Sequence, residues 1–264
     1  MYLGAAVAVW LFAELPPSAV VWLRQLGAAA VLLAWRRPGR AAWRGRIFWL
    51  AAIFGMMTAA MNLAFYESIH RLPLGTAVAL EFVGPVLVAA FGSRSVRDIG
   101  ALVMVVSGVV LIADVRWAGS TLGVLFALSA AALWAGYIVL GKRVATAGLG
   151  VDGLAVGFGV ATVVLSPLAL GTGPAWNSPR LLVLGIGVGI LGTVIPYALD
   201  QVVLRRMGPA RFALLLALLP VTATVIGLVV LRQVPTLLEA TGILAVVAGL
   251  TIRTREAGPR QDPL

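Results

Sequence analysis

The stretch VALEFVGPVLVAAF, residues 78–91, sets one carboxylate, Glu81, in a run that is otherwise as apolar as lipid, and follows it with the helix-breaking pair Gly84-Pro85. A helix on the surface of a water-soluble protein has a polar face on which to place such a group; this one has none. The rest of the chain has the same character. Of its 264 residues 61% are hydrophobic and only 11% charged, with a mean hydropathy of +1.03. The apolar residues fall in ten blocks, at 1–13, 18–35, 47–66, 73–91, 99–113, 121–141, 153–171, 181–199, 212–231 and 236–252. Most approach the length that carries a helix across a bilayer core, roughly 20 residues at about 1.5 Å each. The expected fold is an all-α polytopic membrane protein of about ten transmembrane helices. Pro16-Pro17 cuts the first block short, so the first helix is expected to be truncated or to begin upstream.

The net charge of +10 raises the question of a nucleic-acid partner, and its placement answers it. With both termini on one side, the loops at 36–46, 94–97, 142–143 and 205–211 and the tail from 253 share a face. They carry 15 of the 20 Lys and Arg residues. The positive-inside rule puts that face in the cytoplasm, so the charge reports topology and no nucleic acid is expected. The expected place is the bacterial inner membrane. The partners expected are the bilayer and a small-molecule substrate; a homodimer is compatible with the sequence. There is no cysteine and one histidine, His70, so neither a metal site nor a cofactor is expected.

Superposing Pro85 on Pro220, an offset of 135, also aligns Thr58 with Thr193, Arg71 with Arg206 and Gly92 with Gly227. The chain divides on this basis into 1–116 (helices one to five), 117–252 (helices six to ten) and a tail, 253–264. Five spans is an odd number, so the second copy enters the membrane from the opposite side. Inverted repeats of this kind are common in secondary transporters. Their substrate sites lie near the midplane, beside Gly/Pro-interrupted helices in corresponding places. Gly84, Pro85, Pro196 and Pro220 are the candidate breaks.

Ionisable groups at mid-bilayer cost about 2.5–3.5 kcal/mol on insertion scales and face a cavity or a partner. Glu81 either binds substrate and carries a proton, or is a protonated carboxyl bonded to a neighbouring helix. Arg24, two turns into the second span, either receives a substrate carboxylate, or locks two helices or snorkels to the surface. Asn62 and Tyr66 share a face of span three; Trp134 and Tyr137 lie three apart on span six; Tyr197 follows Pro196. These residues line a cavity or pack as ordinary aromatic side chains. Asp200 reaches the site or snorkels to the interface. Glu67, with His70 and Arg71 at i+3 and i+4, reads as a local ion pair. The segment GIGVGILG, 185–192, lacks the preceding strand of a nucleotide-binding loop and reads as close helix packing through small residues. No phosphate-binding loop and no serine–histidine–acid set is present, so no ATP-driven or hydrolytic activity is expected and the chain is not read as an enzyme.

Three segments carry a family resemblance: MNLAFYESIHRLPLGTAVALEFVGPVLVAAF (61–91), LWAGYIVLGKRV (133–144) and LGTVIPYALDQVVLRRM (191–207). They resemble helices three and four, six and eight of EamA-type transporters of the drug/metabolite transporter superfamily, most closely the threonine/homoserine exporters. Arg24 resembles the second-helix arginine of that group. The resemblance implies ten helices in an inverted repeat, alternating access without ATP, and export of small amino acids or related metabolites. Two positions depart from it: Leu219 and Gln233 stand where relatives carry glutamate. Within this reading Glu81 meets the substrate ammonium while Arg24 or a helix N-terminus receives its carboxylate. Efflux of another metabolite or a cationic drug, and a non-transporting accessory role, are the alternatives.

Overall fold

A computed structural model of the chain describes residues 2–91, 96–146, 150–196 and 219–254, all helix or short connections with no strand among them. The elements are α1 (Tyr2–Leu11), α2 (Pro17–Arg36), α3 (Gly45–Ile69), α4 (Leu74–Glu81), α5 (Val83–Phe91), α6 (Val96–Thr146), α7 (Gly150–Val164), α8 (Gly173–Trp176), α9 (Pro179–Gly189), α10 (Leu219–Leu231) and α11 (Leu237–Thr254). Burial runs contrary to that of a water-soluble protein. Trp10, Trp49, Val163, Leu170 and Val229 face outward, while Arg24, Gln25, Asn62, Glu81 and Glu239 are buried. An apolar exterior, with the few buried charged and polar groups turned in among an apolar core, is what a hydrocarbon solvent selects.

Each apolar block carries helix among the described residues, but the blocks are not uniform spans. Among the described residues three helices are long and apolar enough to cross a membrane alone: Pro17–Arg36, Gly45–Ile69 and Ser120–Gly141. The block at 153–171 is bent by 66° between Val151–Val164 and Ser166–Trp176. Pro167 has no N–H to continue the ladder, and it disfavours a helical Ser166; the chain goes on as a tight 3-10 turn, Ser166–Thr172.

Two connections differ from the sequence-based expectation. The stretch 114–119, expected as a loop, is helical, and α6 runs through it to a single break at Ser120 (φ −161°, ψ 73°). Ser120 Oγ accepts from the Gly123 N–H at 3.3 Å, the bond of an N-cap serine that starts a new helix. The break in the 73–91 block falls at Phe82, ahead of Gly84-Pro85. Pro85 lacks the N–H that an unbroken helix would return to the carbonyl four residues earlier, and that carbonyl belongs to Glu81.

Glycines set the closest approaches. A Cβ on Gly55 of α3 would strike the backbone of Gly157 on α7, and one on Gly84 of α5 would strike the Ala131 carbonyl on the second arm of α6. At one end of the molecule Arg36, closing α2, pairs with Asp152, opening α7, at 2.8 Å. At the other, Arg71 pairs with Glu67 one turn earlier on α3, the local ion pair expected from their spacing. Its guanidinium also lies 5.1 Å from the ring centre of Phe126.

Candidate substrate-binding cleft

The cleft is lined from α1, α2, α3, α4 and the turn that follows α9. α2 packs against α9, and α3 packs against both α2 and α4. A Cβ on Gly189 would run into the backbone carbonyl of Arg24, and one on Gly185 into the Leu23 side chain. The small-residue reading of 185–192 is thus realised as contact between α2 and α9. That approach delivers Arg24 to the π-helical turn Ile190–Val194 that follows α9.

Arg24 is 7% exposed and its three nitrogens diverge. Nη1 donates to Asn62 Oδ1 at 2.5 Å, Nε to Thr193 Oγ1 at 3.2 Å, and Nη2 to the Gly192 carbonyl at 3.3 Å. The guanidinium carbon lies 5.2 Å from the centre of the Tyr66 ring, inside the roughly 6 Å reach of a cation–π contact. Asn62 is itself oriented, since its Nδ2 donates to the Thr58 carbonyl at 2.9 Å. Thr58 and Thr193, aligned by the 135-residue offset, thus both anchor this network.

Glu81 lines the same cleft. It ends α4 and is 5% exposed. Tyr2, Ala5, Arg24, Met61, Asn62, Phe65, Tyr66, Glu81 and Gly192 line one narrow cleft. Among the described residues neither Arg24 nor Glu81 forms a salt bridge; the two found are Arg36–Asp152 and Arg71–Glu67. A basic and an acidic side chain therefore share one small cleft with no ion pair between them among the described residues.

Of the residues singled out in the sequence, Arg24, Asn62, Tyr66 and Glu81 meet here. Trp134 and Tyr137 do not line the cleft. Trp134 packs edge-on against Phe82 with ring centres 4.9 Å apart, and Tyr137 stacks on Phe54 at 4.7 Å. Gly84 and Pro85 lie just past the break in α4–α5, Pro196 follows the π-helical turn, and Pro220 is the second residue of α10. Tyr197 and Asp200 lie outside the described residues.

Sequence reasoning passed over Tyr2, Thr193 and Glu239. The last is fully buried and was legible as the capping box Thr236-x-x-Glu239. Its Oε2 accepts from the Thr236 N–H at 2.9 Å, and Thr236 Oγ1 accepts in return from the Glu239 N–H at 3.3 Å. Its Oε1 accepts from Thr76 Oγ1 on α4 at 2.9 Å. Nearby, Gln233 Oε1 accepts from the Leu74 N–H at 2.9 Å, so the start of α4 is fastened to the α10–α11 connection.

Residues 121–254 match the EamA-like transporter family. Over 260 residues the chain is 34% identical to the threonine/homoserine exporter RhtA of Salmonella typhimurium (strain SL1344), an alignment covering 95% of this chain and 88% of that one. The chain belongs to the EamA-like transporter family. It is a multi-pass membrane protein of a transporter class. A second EamA relative, the threonine/homoserine exporter RhtA of Escherichia coli (strain K12), is also 34% identical, over 261 residues covering 96% of this chain and 88% of that one. A solved crystal structure 23% identical in sequence shares the fold at a TM-score of 0.61, over 100% of this chain and 94% of that one.

Proposed function

We propose that this EamA-family protein is a secondary transporter that exports small amino acids of the threonine/homoserine type across the bacterial inner membrane. In this reading its ten helices form two inverted five-helix repeats with both termini in the cytoplasm, and it works by alternating access. The observation that carries the reading is the pairing of Arg24 and Glu81 across one small cleft without an ion pair between them. A zwitterion supplies a partner to each pole at once: its carboxylate to Arg24 and its ammonium to Glu81. The hydrogen bonds from Arg24 to Asn62, Thr193 and Gly192 fix the guanidinium, so substrate binds to a preorganised cation. A proton reaching Glu81 from outside neutralises the ammonium's partner and releases the substrate outward. Its loss to the cytoplasm then restores the site, which exchanges one proton for one amino acid.

The test is efflux of radiolabelled threonine and homoserine from preloaded bacteria that lack exporters of their own. Faster efflux than from cells carrying an empty vector is expected. A protonophore should slow efflux against a gradient. Rates equal to the empty vector for both amino acids would reject the assignment and turn the search to other metabolites or cationic drugs.

A further inference from the structure

Tyr2 is the cleft residue that the zwitterion does not use. α1 packs against α9, the π-helical turn after it, and α10. It comes close because Gly4 lies against Gly192, where a Cβ would sit 3.1 Å from the Gly192 nitrogen. Tyr2, two residues before Gly4 on α1, is 3% exposed. Its hydroxyl has no hydrogen-bond partner among the described residues. Of the other residues that line the cleft, Ala5, Met61 and Phe65 offer no polar side-chain atom apart from the weakly accepting Met61 sulfur, and the polar side chains are those of Arg24, Asn62, Tyr66 and Glu81. A buried phenol that bonds to nothing is costly, and Tyr and Trp ordinarily find a partner for their polar atom when buried.

We propose that Tyr2 reads the side-chain hydroxyl of the transported amino acid. This rests on the amino-acid reading above and adds a specificity-determining residue to it. With carboxylate and ammonium held by Arg24 and Glu81, the side chain of a small amino acid is left to the remaining wall of the cleft. The Tyr2 hydroxyl is a polar atom of that cleft left unbonded among the described residues. A β- or γ-hydroxyl completes that bond. Valine, which matches threonine in shape with a methyl in place of the hydroxyl, leaves it unmade. A site that hydrogen-bonds a substrate hydroxyl discriminates against the analogue lacking it far better than a purely apolar pocket discriminates by shape.

The experiment compares initial rates of threonine and valine transport in proteoliposomes for the full-length protein and its Tyr2→Phe form, with thermal unfolding of each in detergent. The wild type should prefer threonine to valine by about tenfold or more in transport efficiency. Tyr2→Phe should bring that ratio to within about threefold, mainly by losing threonine, while valine transport is kept. Because the removed hydroxyl bonds to no described residue, the unfolding temperature should be unchanged or higher. An unchanged threonine-to-valine ratio in Tyr2→Phe, or a wild type that never preferred threonine, overturns the role of Tyr2 and leaves amino-acid transport standing. A wild type that moves neither amino acid overturns both readings.

Discussion

Glu81→Gln separates binding from folding. Glutamine keeps the size and shape of the side chain and removes only its capacity for charge. The position is 5% exposed at the end of α4, so bulk water does little to screen the change. A hydrogen bond to a charged partner contributes about 1.5–3 kcal/mol, against about 0.5–1.5 for a neutral one. The variant therefore loses about 1–1.5 kcal/mol toward an ammonium, and half-saturation for threonine should rise roughly 5- to 12-fold. Stability should move the other way. An ionised group at mid-membrane costs about 2.5–3.5 kcal/mol on insertion scales, which glutamine avoids, so thermal unfolding in detergent should occur at the same or a higher temperature. Proteoliposomes give the functional half of the test. Threonine counterflow should persist with weaker half-saturation, while uptake driven by a pH gradient should vanish, since the glutamine amide does not titrate. Half-saturation within twofold of wild type together with intact gradient-driven transport would refute the assignment of Glu81.

Arg24→Lys keeps the charge but cannot reproduce three bonds from three diverging nitrogens. The loss of at least one, about 1.5–3 kcal/mol, should lower both the unfolding temperature and threonine transport, the latter about tenfold or more in the same proteoliposome assay. Gly84→Ala drives a methyl into the Ala131 carbonyl and should cost about 1–3 kcal/mol in detergent unfolding. Gly187→Ala, whose Cβ meets nothing within 4 Å, should leave stability unchanged or raise it by up to about 1 kcal/mol. The chain has no cysteine, so single ones report sidedness cleanly. A membrane-impermeant maleimide added to whole cells should label Val234→Cys, at an exposed position, and should reach Arg40→Cys only after lysis; the opposite pattern would invert the proposed topology.

The membrane class and the family were legible in the sequence, because hydropathy and a run such as PLGTAVALEFVGP are local properties. So were the poles of the cleft: Arg24 and Glu81 each stand out against an apolar background, and Asn62 and Tyr66 lie one helical turn apart. Their convergence was not legible, since Arg24 reaches Thr193 over 169 residues of sequence and only packing decides which helix faces meet. Tyr2 was missed because a lone tyrosine near a helix end carries the same signature as an interfacial anchor. Trp134 and Tyr137 show the converse: their spacing marks a common face, and that face turns to Phe82 and Phe54 instead of the cleft. The loop expected at 114–119 failed because two charges inside a helix and two charges in a connection look alike by composition.

The eight residues of α4 are a rod about 12 Å long. One end is clamped by Gln233 and Glu239 to the α10–α11 connection, and the other ends at the break after Glu81. A rod held at one end and jointed at the other is a lever. In the alternating access proposed above, a shift of α10 and α11 relative to α5 would carry α4 with it through the clamp, and the joint at Phe82 would absorb the angle. The carboxylate at the tip is then the part of α4 that travels farthest relative to its own clamp. A substitution at Thr76 or Gln233, far from any substrate, would be felt as a change in where that tip points.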